Sequence, residues 1–383
     1  MRRFFSEFRN FFRKGDMVLL LLCLAVSAFG CLILASTTAS MGSVRFLTIQ
    51  IVAIGLGVLM YAIVSSVDVE FFSEHRMSLV VFNTILLLML FPFGTDNDTG
   101  NRSWLDFPFL PIDIQPAEIC KITYILIMAS VMNSHQNKIS SFRSVMHMVL
   151  HLGILAGLNV LISGDLGVSL IFVFIFIGMA FAGGVSLFWF GLAAGGLVAV
   201  APFIWNSMAE YQQNRILILF DESIDPDGVD ERWHSKQSLL SLTGGGLTGQ
   251  GLFNGNRTQT DVLYAKHTDY VFSSIGEELG FLGCILVLVL ELAIIARCIY
   301  VGTKTPDYMR RLVCFGAASA LIFQICSNVG MCIGVTPVIG LTLPFISYGG
   351  SSIVTIFAMM GLVSGVHARP TSDSHELYIR PYR

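Results

Sequence analysis

Residues 187–205 read LFWFGLAAGGLVAVAPFIW, and residues 271–290 read VFSSIGEELGFLGCILVLVL. Each run is about as long as the twenty apolar residues that a helix needs to cross a bilayer. Between them lies a long polar segment, residues 206–270, which ends in KHTDY at residues 266–270. Connections of this length are uncommon unless they are functional, so we expect the chemistry of the protein on this segment.

The composition places the chain outside the soluble proteins. Hydrophobic residues make up 54% of its 383 residues and charged residues only 13%, whereas soluble chains carry roughly 25% charged residues. The apolar runs predict an all-α polytopic membrane protein of about ten transmembrane helices, with one large extracytoplasmic loop between helices seven and eight. The predicted spans lie near 17–37, 46–66, 77–94, 114–133, 146–163, 165–184, 187–205, 270–300, 312–333 and 344–366.

Basic residues set the expected orientation. They concentrate in the segments on the N-terminal side of the membrane, so the positive-inside rule places both termini in the cytoplasm and the large loop outside. The chain divides into a cytoplasmic segment at 1–16, a membrane domain at 17–366 and a cytoplasmic tail at 367–383. Phenylalanines at helical spacing in the first segment predict an amphipathic helix on the inner leaflet or, alternatively, a helix that docks a partner.

Carboxylates recur where the large loop meets the eighth span. Asp269 lies at the junction, and Glu277 and Glu278 follow about two turns later. Acids at the edge of an apolar segment are costly and usually mark a site or a pathway. The alternative is that Asp269 only caps the helix that begins near Tyr270. Because the acids recur, we favour the functional interpretation.

Other charged positions lie on the same predicted side of the membrane. Glu118 and Lys121 are three residues apart in the fourth span, a spacing that lets them pair on one helix face toward the bundle interior or an aqueous cavity. Arg102 and Trp104 precede them, and Trp104 also fits an interfacial anchor. Asp165 separates spans five and six, where a helix cap and a functional role are both open.

Segments rich in small residues have simpler interpretations. Residues 244–251, GGGLTGQG, lack the Lys-Ser/Thr of a nucleotide-binding loop, so we reject ATP binding and expect a flexible or re-entrant loop. Residues 344–352, PFISYGGSS, favour close packing of the last span. All eight cysteines fall in predicted spans or at their inner ends, which excludes an extracytoplasmic disulfide framework. No nucleic-acid partner is expected.

Five segments, in their order along the chain and on ten spans, resemble those of the SEDS family (shape, elongation, division and sporulation proteins, typified by RodA, FtsW and SpoVE). The resemblance covers nearly the whole chain. It implies a peptidoglycan glycosyltransferase that polymerises lipid II at the outer face of the bacterial cytoplasmic membrane. It also implies a class B penicillin-binding protein as partner, which crosslinks the product. The segments are residues 102–104 together with 115–121, then 164–167, 237–251, 267–280 and 343–352.

The resemblance assigns roles to individual residues. The essential loop aspartate of the family falls on Asp269, the tryptophan of its Arg-x-Trp motif on Trp104, and its membrane acid–base pair on Glu118 and Lys121. The sequence departs from the family in having Tyr270 where phenylalanine is usual. It also has an Asn-Arg-Ser-Trp sequence where an alanine- or arginine-rich version is usual. These departures leave open whether the protein serves elongation, division or sporulation.

The implied reaction needs a base for the acceptor hydroxyl and positive charge for the departing pyrophosphate. Asp269 is the expected base, although a metal-ligand role stays open. Burial would raise the pKa of Asp269 and nearby Lys266 would lower it. Among outward cations we rank Arg102 and Arg215 first, because arginine binds phosphate in a bidentate way. The remaining substrate-binding candidates are Trp104, Arg45, Lys236, Lys266 and His267. A divalent cation, Mg or Mn, would substitute for missing charge, with no ligand set assigned.

Two other functions remain as alternatives. Membrane charges at Glu118, Lys121, Asp165 and Glu277 also suit a lipid-precursor flippase or a proton-coupled transporter. A non-catalytic scaffold of the cell-wall machinery is the third possibility. A transporter would depend on its membrane charges more than on Asp269, and a scaffold would depend on neither.

Overall fold

The computed structural model describes residues 14–42, 44–95, 101–106, 113–208, 210–221, 233–260 and 262–371. Most of the predicted amphipathic N-terminal segment and of the C-terminal tail lies outside these residues. The described chain is helical apart from one two-stranded sheet.

Helices occupy all ten predicted spans, which confirms the polytopic helical fold. Within the described residues, seven segments are long and apolar enough to cross a membrane, α8 and the apolar part of α9 are shorter, and α6 is in neither group. The helices are α1 (Met17–Thr37), α2 (Arg45–Ser66), α3 (Val69–Glu74), α4 (Arg76–Leu88), α5 (Leu90–Phe93), α6 (Pro116–Ser134), α7 (Phe142–Ser163), α8 (Leu166–Ala182), α9 (Leu187–Ser207), α10 (Glu210–Leu217), α11 (Trp233–Gly245), α12 (Val271–Lys304), α13 (Tyr308–Cys332) and α14 (Gly350–Ala368). The strands are β1 (Gly94–Thr95) and β2 (Trp104–Leu105), paired antiparallel.

Helices α6, α13 and α14 form the centre of the bundle. The most apolar parts of α13 and α14 are 72% and 78% buried, whereas those of α2 and α7 are 22% buried. Helix α14 runs closely along α2, where Gly57 meets the ring of Phe357 and Gly361 meets the backbone of Tyr61. Small residues permit such close approach between helices in a membrane.

The break at Gly164 and Asp165 divides two helices, as predicted. Gly164 ends α7 in the left-handed conformation with φ of 73°, which glycine adopts without steric cost. Asp165 then caps α8, because its Oδ1 accepts a hydrogen bond from the Val168 amide at 3.0 Å. The capping prediction for Asp165 is therefore confirmed.

The large loop is more ordered than its polar sequence indicates. It contains α10 and α11, and α11 packs against the first part of α12. Residues 244–251 pack against α12, so they do not form the flexible loop that was one of the two expectations, and the re-entrant alternative stays a prediction. A Cβ atom at Gly245 or Gly249 would collide with the backbone of α12 at Gly276 or Glu278. These glycines permit backbone-to-backbone contact.

A kink in α12 makes this contact possible. Gly280 has φ of 68° and ψ of −166°, so the helix is interrupted there and nearby backbone groups lose their helical partners. The loop replaces those partners. The backbone amide of Gln250 donates to the Glu277 carbonyl at 2.9 Å, and the backbone amide of Phe281 donates to the Gly246 carbonyl at 2.9 Å. The glycine-rich segment thus completes the hydrogen bonding of a broken helix.

Candidate active site

Asp269 lies at the end of the large loop, immediately before α12. The capping alternative is wrong for this residue. Tyr270 is the N-cap position of α12, and the side-chain capping bond is missing there. In the described part of the chain, the Asp269 carboxylate has neither a hydrogen bond nor an ion pair, although it is only partly exposed. It lies beside Gly340, where a Cβ atom would be 3.5 Å from Asp269 Oδ2. An unpaired carboxylate in this position is available to a substrate.

The backbone around Asp269, in contrast, is held firmly. The Asn328 amide group donates to the Asp269 carbonyl at 2.8 Å and to the Leu341 carbonyl at 2.7 Å. The Ser347 hydroxyl donates to the Thr268 carbonyl at 2.6 Å. These bonds fix the carboxylate by its main chain and leave its oxygens free.

Residues 344–352 therefore do more than pack the last helix. The Tyr348 amide donates to the His267 carbonyl at 2.8 Å. Gln50 of α2 supports the same segment, because its Nε2 donates to the Ser347 carbonyl at 3.1 Å. Sequence reasoning missed both Gln50 and Asn328. A buried amide inside an apolar span was the available signal, since polar groups in membrane helices are costly unless paired.

Asp165 is the charged group that shifts the pKa of Asp269. Burial and the negative charge of Asp165 raise the pKa of Asp269 to about 6. The pKa of Asp165 is raised too, first by burial and also by the charge of Glu118, while the Val168 and Gly167 amides oppose the shift. Of the two opposing effects expected from the sequence, burial determines the direction of the Asp269 pKa shift, because Lys266 is not among the groups that act on this pKa.

Glu118 and Lys121 form the predicted pair. Lys121 Nζ lies 2.7 Å from Glu118 Oε1, and both side chains are buried. The other carboxylate oxygen of Glu118 accepts a hydrogen bond from the Thr355 hydroxyl at 3.0 Å. The pair thus links α6 to α14 inside the bundle, with Glu118 close enough to Asp165 to influence it.

Comparison with known proteins identifies the family. A family model described as a cell cycle protein, FTSW_RODA_SPOVE, matches residues 16–372. The chain belongs to this family. SEDS membership, predicted from the five ordered segments, is thereby confirmed.

Relatives and solved structures match along almost the whole length. The peptidoglycan glycosyltransferase MrdB of Escherichia coli K12 is 29% identical over 353 residues, 92% of this chain and 93% of the relative. The probable peptidoglycan glycosyltransferase FtsW of Thiomicrospira cyclica is 32% identical over 364 residues, 92% and 91% of the two chains. A chain from a peptidoglycan synthase complex, in which polymerization and crosslinking are structurally coordinated, superposes with a TM-score of 0.78 at 30% identity, covering 94% and 99% of the two chains. RodA of Thermus thermophilus gives 0.70 at 27% identity, covering 94% and 98%.

The lysine of the KHTDY motif turns away from Asp269 in this SEDS protein. Lys266 is buried, and its Nζ donates to the Ser40 hydroxyl at 2.8 Å and to the Thr260 carbonyl at 3.1 Å. It therefore fastens the loop to the segment that follows α1. The prediction that it is an outward cation for pyrophosphate does not match this position.

Arg45 lies next to a residue that contacts the motif. The ring of its neighbour Phe46 contacts the His267 ring, with the two centroids 5.1 Å apart. The charge of Arg45 itself acts electrostatically on the Tyr348 hydroxyl. Burial, with a smaller effect of Lys266, lowers the pKa of His267. Its ring packs against Phe46 and Tyr348.

The other predicted substrate-binding residues lie before or on β2, on α10 and on α11. Arg102 is exposed and Trp104 is half-buried in β2, where its carbonyl accepts a hydrogen bond from Thr95. Asn101 brings this sheet to the site, because its Oδ1 lies against Gly164. Lys236 is exposed on α11, and Arg215 lies on α10.

Glu277 and Glu278 bind the loop. Glu277 accepts hydrogen bonds from the Thr258 amide and hydroxyl, both at 2.7 Å, and from the Arg257 amide at 3.0 Å. Glu278 accepts from the Gln259 side chain at 2.8 Å. These carboxylates are fully buried, and their hydrogen bonds to residues 257–259 give them a structural role in holding the loop.

Proposed function

We propose that this protein polymerises lipid II, the undecaprenyl-pyrophosphate-linked disaccharide peptide, with Asp269 as the general base. Two relatives that match it over nine-tenths of their length are named peptidoglycan glycosyltransferases. The observation that carries the proposal is the Asp269 carboxylate itself, which has a fixed backbone, no protein partner among the described residues and a pKa of about 6. A base works best when its pKa lies near the working pH, so the raised value suits proton abstraction.

The chemical step follows from that placement. A hydroxyl oxygen of the acceptor attacks the anomeric carbon of the donor, and the bond from that carbon to the pyrophosphate oxygen breaks. Asp269 accepts the proton of the attacking hydroxyl. The undecaprenyl pyrophosphate leaves with the bonding electrons, so positive charge near its phosphates lowers the barrier.

Arg45 is our first candidate among the protein cations for the pyrophosphate. It lies next to the Phe46–His267 contact, beside the segment that carries Asp269. Arg102, Arg215 and Lys236 extend the set of candidate cations along the outward loops. Arginine keeps its charge at every working pH and matches phosphate in a bidentate way.

A divalent cation, Mg or Mn, remains part of the proposal. Asp269 and Asp165 are neighbouring carboxylates, a chemistry that hard cations favour. The described residues contain no group of three or more His, Cys, Asp or Glu side chains placed to hold a metal. A cation here would take its remaining ligands from water and from the substrate phosphates, as magnesium commonly does. Loss of activity on chelation, restored by Mg or Mn, tests this.

The expected membrane orientation follows from the positive-inside rule, with Asp269 outside and both termini in the bacterial cytoplasm. The partner is a class B penicillin-binding protein. The similarity to a chain from a peptidoglycan synthase complex supports this choice.

Polymerisation of purified lipid II by the protein with its partner tests the function. Wild type should yield glycan ladders, and folded Asp269→Ala should yield none. Ladders from both proteins would remove Asp269 from the mechanism. Absence of ladders from wild type, while an unrelated polymerase is active on the same substrate, would favour transport or scaffolding. A flippase assay on Glu118→Gln would then separate these two, because only transport needs the membrane charge.

A further inference from the structure

Three histidines and an arginine gather at the end of the bundle opposite Asp269. His135 follows α6, and His147 and His151 lie one turn apart on α7. The His135 and His147 ring centroids are 5.1 Å apart, and those of His147 and His151 are 5.0 Å apart. Helix α6 begins near Glu118 on the Asp269 side and runs 19 residues before reaching His135. At 1.5 Å per residue this places the cluster about 28 Å from the active-site end, across the membrane.

An open groove of 550 Å³ lies against this cluster. His135, Arg143 and His147 form its polar part. Its other lining residues are the apolar Phe142, Met146 and Leu150, which are 67%, 47% and 57% exposed. The groove therefore joins a nitrogen-rich end to an apolar strip at the surface of the bundle. A phosphate group with attached acyl chains has the matching division of chemistry.

Among the described residues, no carboxylate lines the groove. The charged groups that act on His147 are His135, Arg76 and Arg143, and all are basic. Arg143 makes no ion pair or hydrogen bond through its side chain within the described residues. It also lies in the first turn of α7, where the positive end of the helix disfavours a cation. An anion bound in the groove would offset both the repulsion among these basic groups and the unfavourable position of Arg143 at the positive end of the helix.

The hydrogen bonding of His135 leaves one ring nitrogen for a ligand. Its Nδ1 lies 2.8 Å from the Val131 carbonyl, so Nδ1 carries the proton and donates. The remaining Nε2 has no partner within the described chain, and it becomes a second donor when the ring is protonated.

We propose that this groove binds an anionic phospholipid from the leaflet opposite the active site. Arg143, His135 and His147 contact the phosphate, and Phe142, Met146 and Leu150 contact the acyl chains. Basic pockets between membrane helices bind anionic headgroups in this way. The site is separate from the polymerisation chemistry and does not depend on it.

Native mass spectrometry of the full-length protein in detergent, titrated with phosphatidylglycerol or phosphatidylcholine, tests the site. Wild type should bind phosphatidylglycerol several-fold more tightly. Arg143→Gln should weaken phosphatidylglycerol binding about fivefold, as expected for one basic group at a membrane surface, and His147→Gln should weaken it less. Phosphatidylcholine binding should not change.

Lys304→Gln is the matched control. Lys304 is an exposed cation at the end of α12, on the same membrane face but away from the groove. Its loss should leave the lipid preference intact. Equal binding of the two lipids by wild type, or equal weakening by Lys304→Gln and Arg143→Gln, would overturn the proposal. Full displacement of the lipid by inorganic phosphate at similar concentration would also overturn it, because the apolar strip would then contribute nothing.

Discussion

Glu277 and Glu278 follow Asp269 by eight and nine residues in one segment, yet the hydrogen bonding of these carboxylates differs. The Asp269 carboxylate is left without a protein partner among the described residues while its main chain is fixed by Asn328. The Glu277 carboxylate is satisfied by Thr258 and the Arg257 amide. An acid that is held by its backbone is free to react, whereas an acid whose oxygens are used holds the fold together.

This difference explains why acids recur in the segment. One carboxylate is placed for chemistry, and the two that follow fasten residues 257–259 of the loop to the broken helix α12. The loop must be fastened because the KHTDY motif is its last part. Chemistry at Asp269 therefore depends on the stability of the contact at Glu277, and the two roles can be separated by measuring activity and unfolding together.

The largest expected effect is on activity at Asp269. Asp269→Asn keeps the shape of the side chain and removes the base, so polymerisation of lipid II should fall by about 10² to 10⁴-fold. The melting temperature should stay near that of wild type, since no hydrogen bond from the described residues is lost. Asp106→Asn, an exposed aspartate on the same side, is the control and should retain full activity. A large drop in melting temperature for Asp269→Asn would assign it a structural role.

Gly249 should give the largest loss of stability. It has φ of 80°, and a Cβ atom there would collide with the Glu278 backbone. Gly249→Ala should therefore lower the free energy of unfolding by about 3 kcal/mol, from the strained backbone and the steric clash together. Gly244→Ala is the control, because its Cβ would meet the ends of two side chains, Gln250 at 3.4 Å and Arg257 at 3.8 Å, and no backbone. Equal melting temperatures for both variants would show that the loop does not need this close contact.

Glu277→Gln should reduce stability by a smaller amount. The amide cannot accept from all the donors that surround the carboxylate, and a hydrogen bond to a charged group contributes about 2 kcal/mol. Thermal unfolding in detergent should show a lowered melting temperature, with activity preserved at temperatures where the variant remains folded. Glu74→Gln, an exposed glutamate at the end of α3, should change neither property. Loss of activity in a fully folded Glu277→Gln variant would move this residue into the chemistry.

The smallest effect concerns pH. Asp269 acts as a base only when ionised, so activity should rise with pH through its pKa of about 6 and be lost below it. Asp165→Asn removes a negative charge that raises this pKa, so the acidic limb should move to lower pH by roughly half a unit. Asparagine also caps helices, which preserves α8.

Asp307→Asn is the matched control for the pH profile. Asp307 caps α13 through the Arg310 amide at the opposite end of the bundle, so its replacement should leave the profile unchanged. A shift toward higher pH in Asp165→Asn, or no shift, would show that the two aspartates do not interact through their charges.

The sequence by itself determined the membrane class, the positions of the ten helices, the Asp165 cap and the Glu118–Lys121 pair. These features depend on residues close together in the chain. Apolar length predicts a span, a polar residue before an apolar run predicts a cap, and a three-residue spacing predicts a pair on one helix face.

Only the tertiary structure decided which charged groups are free. Lys266 was predicted to face the substrate and instead binds Ser40 of the segment after α1, more than two hundred residues away in sequence. Asn328, on α13, holds Asp269, and nothing in the local pattern connects them. Burial and long-range hydrogen bonds set the availability and pKa of each group. Those partners are brought together by helix packing, so no local sequence pattern can report them.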